Sequence, residues 1–235
     1  DGGEILRDSQ GEPTGMLLDR AQNLLRPHLP QETPERVRQA LVLGAQTMAA
    51  RGWTQVSIAG TSWEEVEMLR ELLDSGDIGI RIYAAIGGPG DDARELLERG
   101  PQIDPDGMLD VRSIKLYMDG ALGSMGAALL EPYADHDSDG LLMHDPEALR
   151  PVLADALQAG VQIQTHAIGD RANRIVLDLY EDALSAAEPA ERKRARWRVE
   201  HAQILDPADI PRFADLGVVA SMQPSHATTD LHFAL

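Results

Sequence analysis

The chain has 235 residues, with 21 Lys+Arg against 39 Asp+Glu and a formal charge of −18. That balance argues against nucleic acid and anionic membranes, both of which require clustered basic residues. There is no cysteine, so disulfides, zinc ribbons and thiol nucleophiles are excluded together, and aromatics at 4% leave no stacking platform.

Residues 1–32 are expected to be an irregular insertion segment. Asp1-Gly2-Gly3 and Gln10-Gly11-Glu12-Pro13-Thr14-Gly15 read as turns in an irregular or hairpin stretch. From 33 to 235 short apolar runs alternate with amphipathic stretches, the rhythm of βα units on a parallel sheet. Thr33-Pro34 ahead of Glu35–Arg51, with Gly52 behind, supplies an N-cap, a first-turn proline and a terminating glycine. A strand is expected at Gln55–Ala59, and Ser62-Trp63-Glu64-Glu65 matches a capping box.

The next strand, Arg81–Ile86, runs into Gly87-Gly88-Pro89-Gly90, whose proline and spacing make a turn rather than a dinucleotide fingerprint. Gly100 closes a helix, and Ser113–Tyr117 reads as a strand. Asp135-His136-Asp137-Ser138-Asp139-Gly140 lacks the EF-hand spacing and terminal Glu, so it reads as a solvated acidic turn. Asp145-Pro146 opens a helix that Gly160 closes before the strand Val161–His166. Asp170 stands at the N-cap position of a helix over Arg171–Leu184. The strands Trp197–His201 and Val218–Met222 flank a helix opened by Asp206-Pro207 and closed by Gly217. Trp53, Trp63 and Trp197 are expected to be packing residues. Both the (β/α)₈ barrel and the doubly wound sheet use such a rhythm.

Chemistry in such folds sits at the carboxyl ends of the strands. Lys115 lies inside an apolar strand, where an amine is costly unless it snorkels or is paired. Its functional options are a Schiff-base amine, a general base, or a lysine carbamylated by CO₂ to become a metal ligand. His166 and His201 end consecutive strands, and neutral imidazoles suit a divalent metal that lowers the pKa of water to about 7. Arg171 could meet an anionic substrate group or pair with Asp170. Gln223 and His226 follow the last strand and reach the same end.

Four segments occur in order: Lys115-Leu116-Tyr117-Met118-Asp119-Gly120-Ala121-Leu122-Gly123-Ser124, Thr165-His166-Ala167-Ile168-Gly169-Asp170-Arg171-Ala172, Val199-Glu200-His201-Ala202-Gln203 and Ser221-Met222-Gln223-Pro224. With Asp1-Gly2-Gly3-Glu4-Ile5 and Pro13-Thr14-Gly15-Met16-Leu17, they resemble the amidohydrolase superfamily over nearly the whole chain. The likeness is to its YtcJ-like branch, amidohydrolase family 3, which includes N-substituted formamide deformylase. The resemblance implies an α/β chain of the (β/α)₈ TIM-barrel type that hydrolyses non-peptide C–N bonds of small amides with one or two divalent metals, usually zinc. It implies Lys115, His166 and His201 as catalytic metal ligands, Lys115 in carboxylated form. Asp119, Arg171, Gln223 and His226 are then expected at the substrate.

Departures from the pattern are equally specific. The seven histidines contain no His-x-His, no Asp follows an eighth strand, and Met125 stands where relatives often have Arg. The six strands are then strands two to seven of eight, and the chain is expected to be an internal fragment with exposed sheet edges. A Schiff-base lyase using Lys115 and a non-catalytic ligand-binding barrel are the alternatives. Oligomeric state is open, and a cytoplasmic location is the expectation.

Overall fold

The computed structural model describes residues 3–30, 32–185 and 187–230; Asp1, Gly2 and His232 lie outside the described residues. The chain opens with β1 (Gly3–Arg7) and β2 (Pro13–Asp19), followed by 3₁₀ turns at Arg20–Leu24 and Arg26–His28. Then come α1 (Pro34–Ala50), β3 (Gln55–Thr61), α2 (Trp63–Asp74), β4 (Arg81–Gly87), α3 (Asp91–Arg99), β5 (Gln102–Ile103) and β6 (Leu109–Tyr117). The second half holds α4 (Pro146–Ala159), β7 (Gln162–Ala167), α5 (Asp170–Ser185), α6 (Pro189–Ala195), β8 (Arg198–His201), α7 (Ile210–Leu216), β9 (Val219–Ser221) and α8 (His226–Thr229).

All six expected parallel strands form, as β3, β4, β6, β7, β8 and β9. The N-terminal stretch pairs as an antiparallel hairpin, the second of the two forms expected, with Glu4 opposite Leu18. Two local readings are corrected. Helix α7 begins at Ile210 rather than after Asp206, because Asp206 uses its carboxylate and carbonyl to close a turn onto Ala208 and Asp209. Trp53 is 59% exposed in the turn after α1, whereas Trp63 and Trp197 are buried. Among the described residues, no helix is long and apolar enough to cross a membrane.

The chain divides into two compact units. One comprises Pro30–Leu116 and Asp155–Ile163. Within it β4 pairs in parallel with β3 and β6, while the short β5 pairs antiparallel with β6. Helix α2 starts on the expected box: Ser62 Oγ accepts the Glu65 N–H at 3.2 Å, and the Glu65 carboxylate accepts the Ser62 N–H at 3.0 Å. Val66, Leu69 and Leu72 recur at i, i+3 and i+6 along α2 and are buried, as a core-facing stripe requires. Ile82, Ala84 and Ile86 of β4 and Leu109, Val111 and Ile114 of β6 complete this core. Lys115 belongs to this unit; it is 3% exposed, and its Nζ donates to the Leu116 carbonyl at 3.0 Å.

The other unit holds the described parts of Asp1–Leu29, Tyr117–Ala154 and Gln164–Leu235. The end of β7 pairs in parallel with β8, and β8 with β9. Helix α5 buries Val176, Leu177, Tyr180 and Leu184, and the Tyr180 ring meets Trp197 edge-on at 5.1 Å. The Tyr180 hydroxyl lies 2.7 Å from Thr165 Oγ1 and 3.1 Å from the Arg198 carbonyl. A carbonyl only accepts, so the phenol donates to Arg198 and accepts from Thr165, tying α5 to both strands. Tyr180→Phe is expected to lower unfolding free energy by about 1–3 kcal/mol, because the buried partners lose their bond. Urea denaturation followed by circular dichroism measures it.

Candidate functional site

The parallel register sets His166 opposite Glu200 and Ala167 opposite His201. Strand alternation would therefore send the His166 and His201 side chains to opposite faces. The backbone prevents that. His201 has φ 78° and Ala202 φ 43°, two consecutive non-glycine residues in the left-handed region, and the His201 ring comes to 4.6 Å from that of His166. Such conformations cost roughly 1–3 kcal/mol each and persist only where surrounding structure enforces them.

The tautomer of each ring follows from its partner. His166 Nε2 lies 3.2 Å from the Gly120 carbonyl, which can only accept, so Nε2 carries the proton and Nδ1 the lone pair. His201 Nδ1 is 2.7 Å from Gln223 Oε1, which puts the proton on Nδ1 and the lone pair on Nε2. Gln223 comes from the segment after β9, and His226, the first residue of α8, stacks on His201 at 5.8 Å.

Asp119 braces this end of the strands. It is fully buried, and its carboxylate accepts the N–H groups of Ala128 (2.9 Å), Ile168 (3.0 Å) and Gly169 (2.8 Å). Burial pushes its carboxyl up to about 7 despite those three bonds, and the Asp19 carboxylate adds to the rise. Gly169 has no room for a side chain, since a Cβ there would lie 1.9 Å from the Ala128 carbonyl oxygen. Asn173 shares its amide hydrogens among the carbonyls of Ala167, Ile168, Gly169 and Ile204 at 2.9–3.3 Å, joining the ends of β7 and β8. Buried Leu122, Ala127 and Ile168, with Tyr133 and Ile204, pack into an apolar cluster.

Of the residues singled out from the sequence, His166, His201, Gln223 and His226 converge, with Asp119 beneath them against His166 Nε2 at 3.4 Å. Arg171 turns to Asp139, with Nη1 2.8 Å from its carboxylate. Asp170 is the first residue of α5 rather than a residue ahead of it, and its carboxylate accepts the Leu130 and Arg171 N–H groups. Lys115 lies in the other unit. Residues not anticipated are Asn173, the Gln203–Asp230 pair (Nε2 to Oδ2, 2.9 Å) and Asp19, whose carboxylate packs on Gly120 and Gly126. The Gly-rich run 120–126 was the one available signal for Asp19, because small residues mark a close approach.

Two imidazoles with fixed tautomers are the donor chemistry a divalent cation requires. They are not a complete ligand set: among the described residues, no three His, Cys, Asp or Glu side chains group to hold a metal ion.

A model of the amidohydrolase family matches residues 1–234. The chain belongs to the amidohydrolase family. Protein LONG AFTER FAR-RED 3 of Arabidopsis thaliana is 35% identical over 97% of this chain and 41% of its own length. Putative amidohydrolase YtcJ of Bacillus subtilis (strain 168) is 31% identical over 100% of this chain and 44% of its own. This amidohydrolase-family chain thus spans about two-fifths of the length of the curated relatives it matches. Among solved structures, a metal-dependent hydrolase from Pyrococcus horikoshii aligns with TM-score 0.76 at 23% identity, covering 96% of this chain and 45% of that one. That likeness establishes the fold, an incomplete (β/α)₈ TIM-barrel type with six parallel barrel strands among the described residues.

Proposed function

We propose that the protein carrying this chain is a metal-dependent hydrolase of non-peptide C–N bonds in small amides. The observation that carries the reading is the His166–His201 pair, 4.6 Å apart, with opposite ring nitrogens pinned by the Gly120 carbonyl and Gln223. His166 Nδ1 and His201 Nε2 would hold the cation, zinc by preference for imidazole nitrogen. When bound, such an ion supplies a nucleophile at neutral pH by lowering the pKa of its water to about 7.

The chain's own residues do the positioning. Gly120 and Gln223 fix the tautomers, the left-handed turn at His201 brings the rings together, and Asp119 with Asn173 holds the loops that carry them. Family membership supports amide hydrolysis as the reaction class.

The test uses the full-length protein and a panel of N-acyl amines. Hydrolysis is expected to vanish in chelator, to return on adding Zn²⁺, and to fall at least ~10³-fold in His166→Ala, as for loss of an essential catalytic group. Full activity in chelator overturns the reading. Trapping of substrate on Lys115 by borohydride would instead favour Schiff-base chemistry.

A further inference from the structure

The N-terminal hairpin ends on a side chain that costs the fold stability. Asp19 closes β2 with φ 46° and ψ −123°, a combination that suits glycine and strains a residue with a Cβ. Its Oδ2 is buried with no hydrogen-bond partner among the described residues, and burial pushes its carboxyl upward. A glycine at this position would remove both penalties, so the use of the aspartate lies in what its carboxylate touches.

The carboxylate touches the neck of one loop. An ideal Cβ at Gly120 would lie 2.6 Å from Asp19 Oδ2. One at Gly126 would lie 2.7 Å from the same oxygen and 3.3 Å from the Gly120 Cα. Only a hydrogen fits at either position while the carboxylate is in place. The Gly120 N–H donates to the Gly126 carbonyl at 3.0 Å, and the Gly126 N–H to the Ala121 carbonyl at 3.0 Å, so the two glycines close the loop on itself.

That loop meets the histidine site twice. The Gly120 carbonyl accepts from His166 Nε2 at 3.2 Å and so sets the tautomer of that ring. The tip, residues 121–124, lines a cavity of about 520 Å³ together with His166 and His201.

We propose that Asp19 is a positioning residue for the histidine site: its carboxylate wedges the Gly120–Gly126 neck, so that the Gly120 carbonyl meets His166 and the tip walls the cavity. The inference rests on the hydrolase reading above and adds a residue that acts on the same site through Gly120. Stability is exchanged for placement, as is common where function needs a strained arrangement.

The experiment compares Asp19→Gly and Asp19→Asn with wild type in the full-length protein. Three readouts are used: urea unfolding, ¹⁵N NMR of histidine-labelled metal-free protein, and competition titration with Zn²⁺. Asp19→Gly relieves the backbone and removes the buried oxygen, so it is expected to unfold at the wild-type urea concentration or above it. With the wedge gone, the two His166 nitrogens are expected to move toward averaged shifts as the tautomers mix. Zn²⁺ affinity should then fall about 10–100-fold, as on losing a partner that orients a ligand. Asp19→Asn keeps the shape of the wedge and is expected to keep the wild-type tautomer and an affinity close to wild type. A wild-type His166 tautomer in Asp19→Gly overturns the inference, as does an asparagine variant that behaves like the glycine one. An unfolding midpoint below wild type in Asp19→Gly overturns it as well, because Asp19 would then serve the fold. The tautomer is read without metal or turnover. A wild-type protein that binds no Zn²⁺ and hydrolyses no amide therefore overturns the hydrolase reading, while the effect of Asp19 on His166 is decided separately.

Discussion

Replacing Asp119 by alanine is expected to destabilise the protein by about 3–6 kcal/mol, because three buried backbone donors lose their acceptor at once. The donors belong to Ala128, Ile168 and Gly169, so the carboxylate joins two loops that hydrogen bonds within strands do not reach. Water cannot replace it, since the side chain is fully buried. A loss of that size is a large part of the roughly 5–15 kcal/mol that a domain possesses. The midpoint of urea unfolding should fall by about 1–2 M with little change in slope. Asp119→Asn keeps the volume and one acceptor oxygen, so it should fall between the alanine variant and the parent. An unchanged midpoint in Asp119→Ala would show that the three N–H groups are satisfied some other way.

The second large effect is on the cation. His201→Ala should weaken binding of Zn²⁺ at least ~100-fold, since it removes one of the proposed ligands outright, and Gln223→Leu should weaken it about 10–100-fold, as loss of a partner that orients a ligand does. Gln223 touches His201 Nδ1 at 2.7 Å and is not itself a proposed ligand. A drop in Gln223→Leu therefore reports on tautomer and ring orientation. Competition titration against a chromogenic chelator measures both constants. Wild-type affinity in Gln223→Leu would mean that the hydrogen bond does not hold the ring.

What the sequence could disclose followed from periodicity and punctuation. The β strands are apolar runs between capped helices, so β3, β4, β6, β7, β8 and β9 were legible, as was the Ser62–Glu65 box. His166, His201, Gln223 and His226 were legible because strand-terminal polar residues in a parallel fold share one end. The backbone turn that brings His201 to His166 was not. It depends on positive φ at His201 and Ala202, which no residue type there announces, since neither is the glycine that such backbone favours.

Asp119 also escaped a structural reading, because an aspartate before a glycine looks like a turn residue. Its partners lie 9, 49 and 50 residues away. The Gln203–Asp230 bond spans 27 residues and joins two loops without periodicity of their own. Trp53 shows the converse error: a large aromatic beside a helix end was expected to pack, yet it is exposed.

Whether His166 and His201 hold a cation through opposite ring nitrogens is read by ¹⁵N NMR of histidine-labelled protein titrated with Zn²⁺. His166 Nδ1 and His201 Nε2 are expected to take the metal-bound shift, while His166 Nε2 and His201 Nδ1 stay protonated on Gly120 and Gln223. Zn²⁺-induced shifts confined to surface histidines such as His28 and His136, with His166 and His201 unmoved, would contradict it.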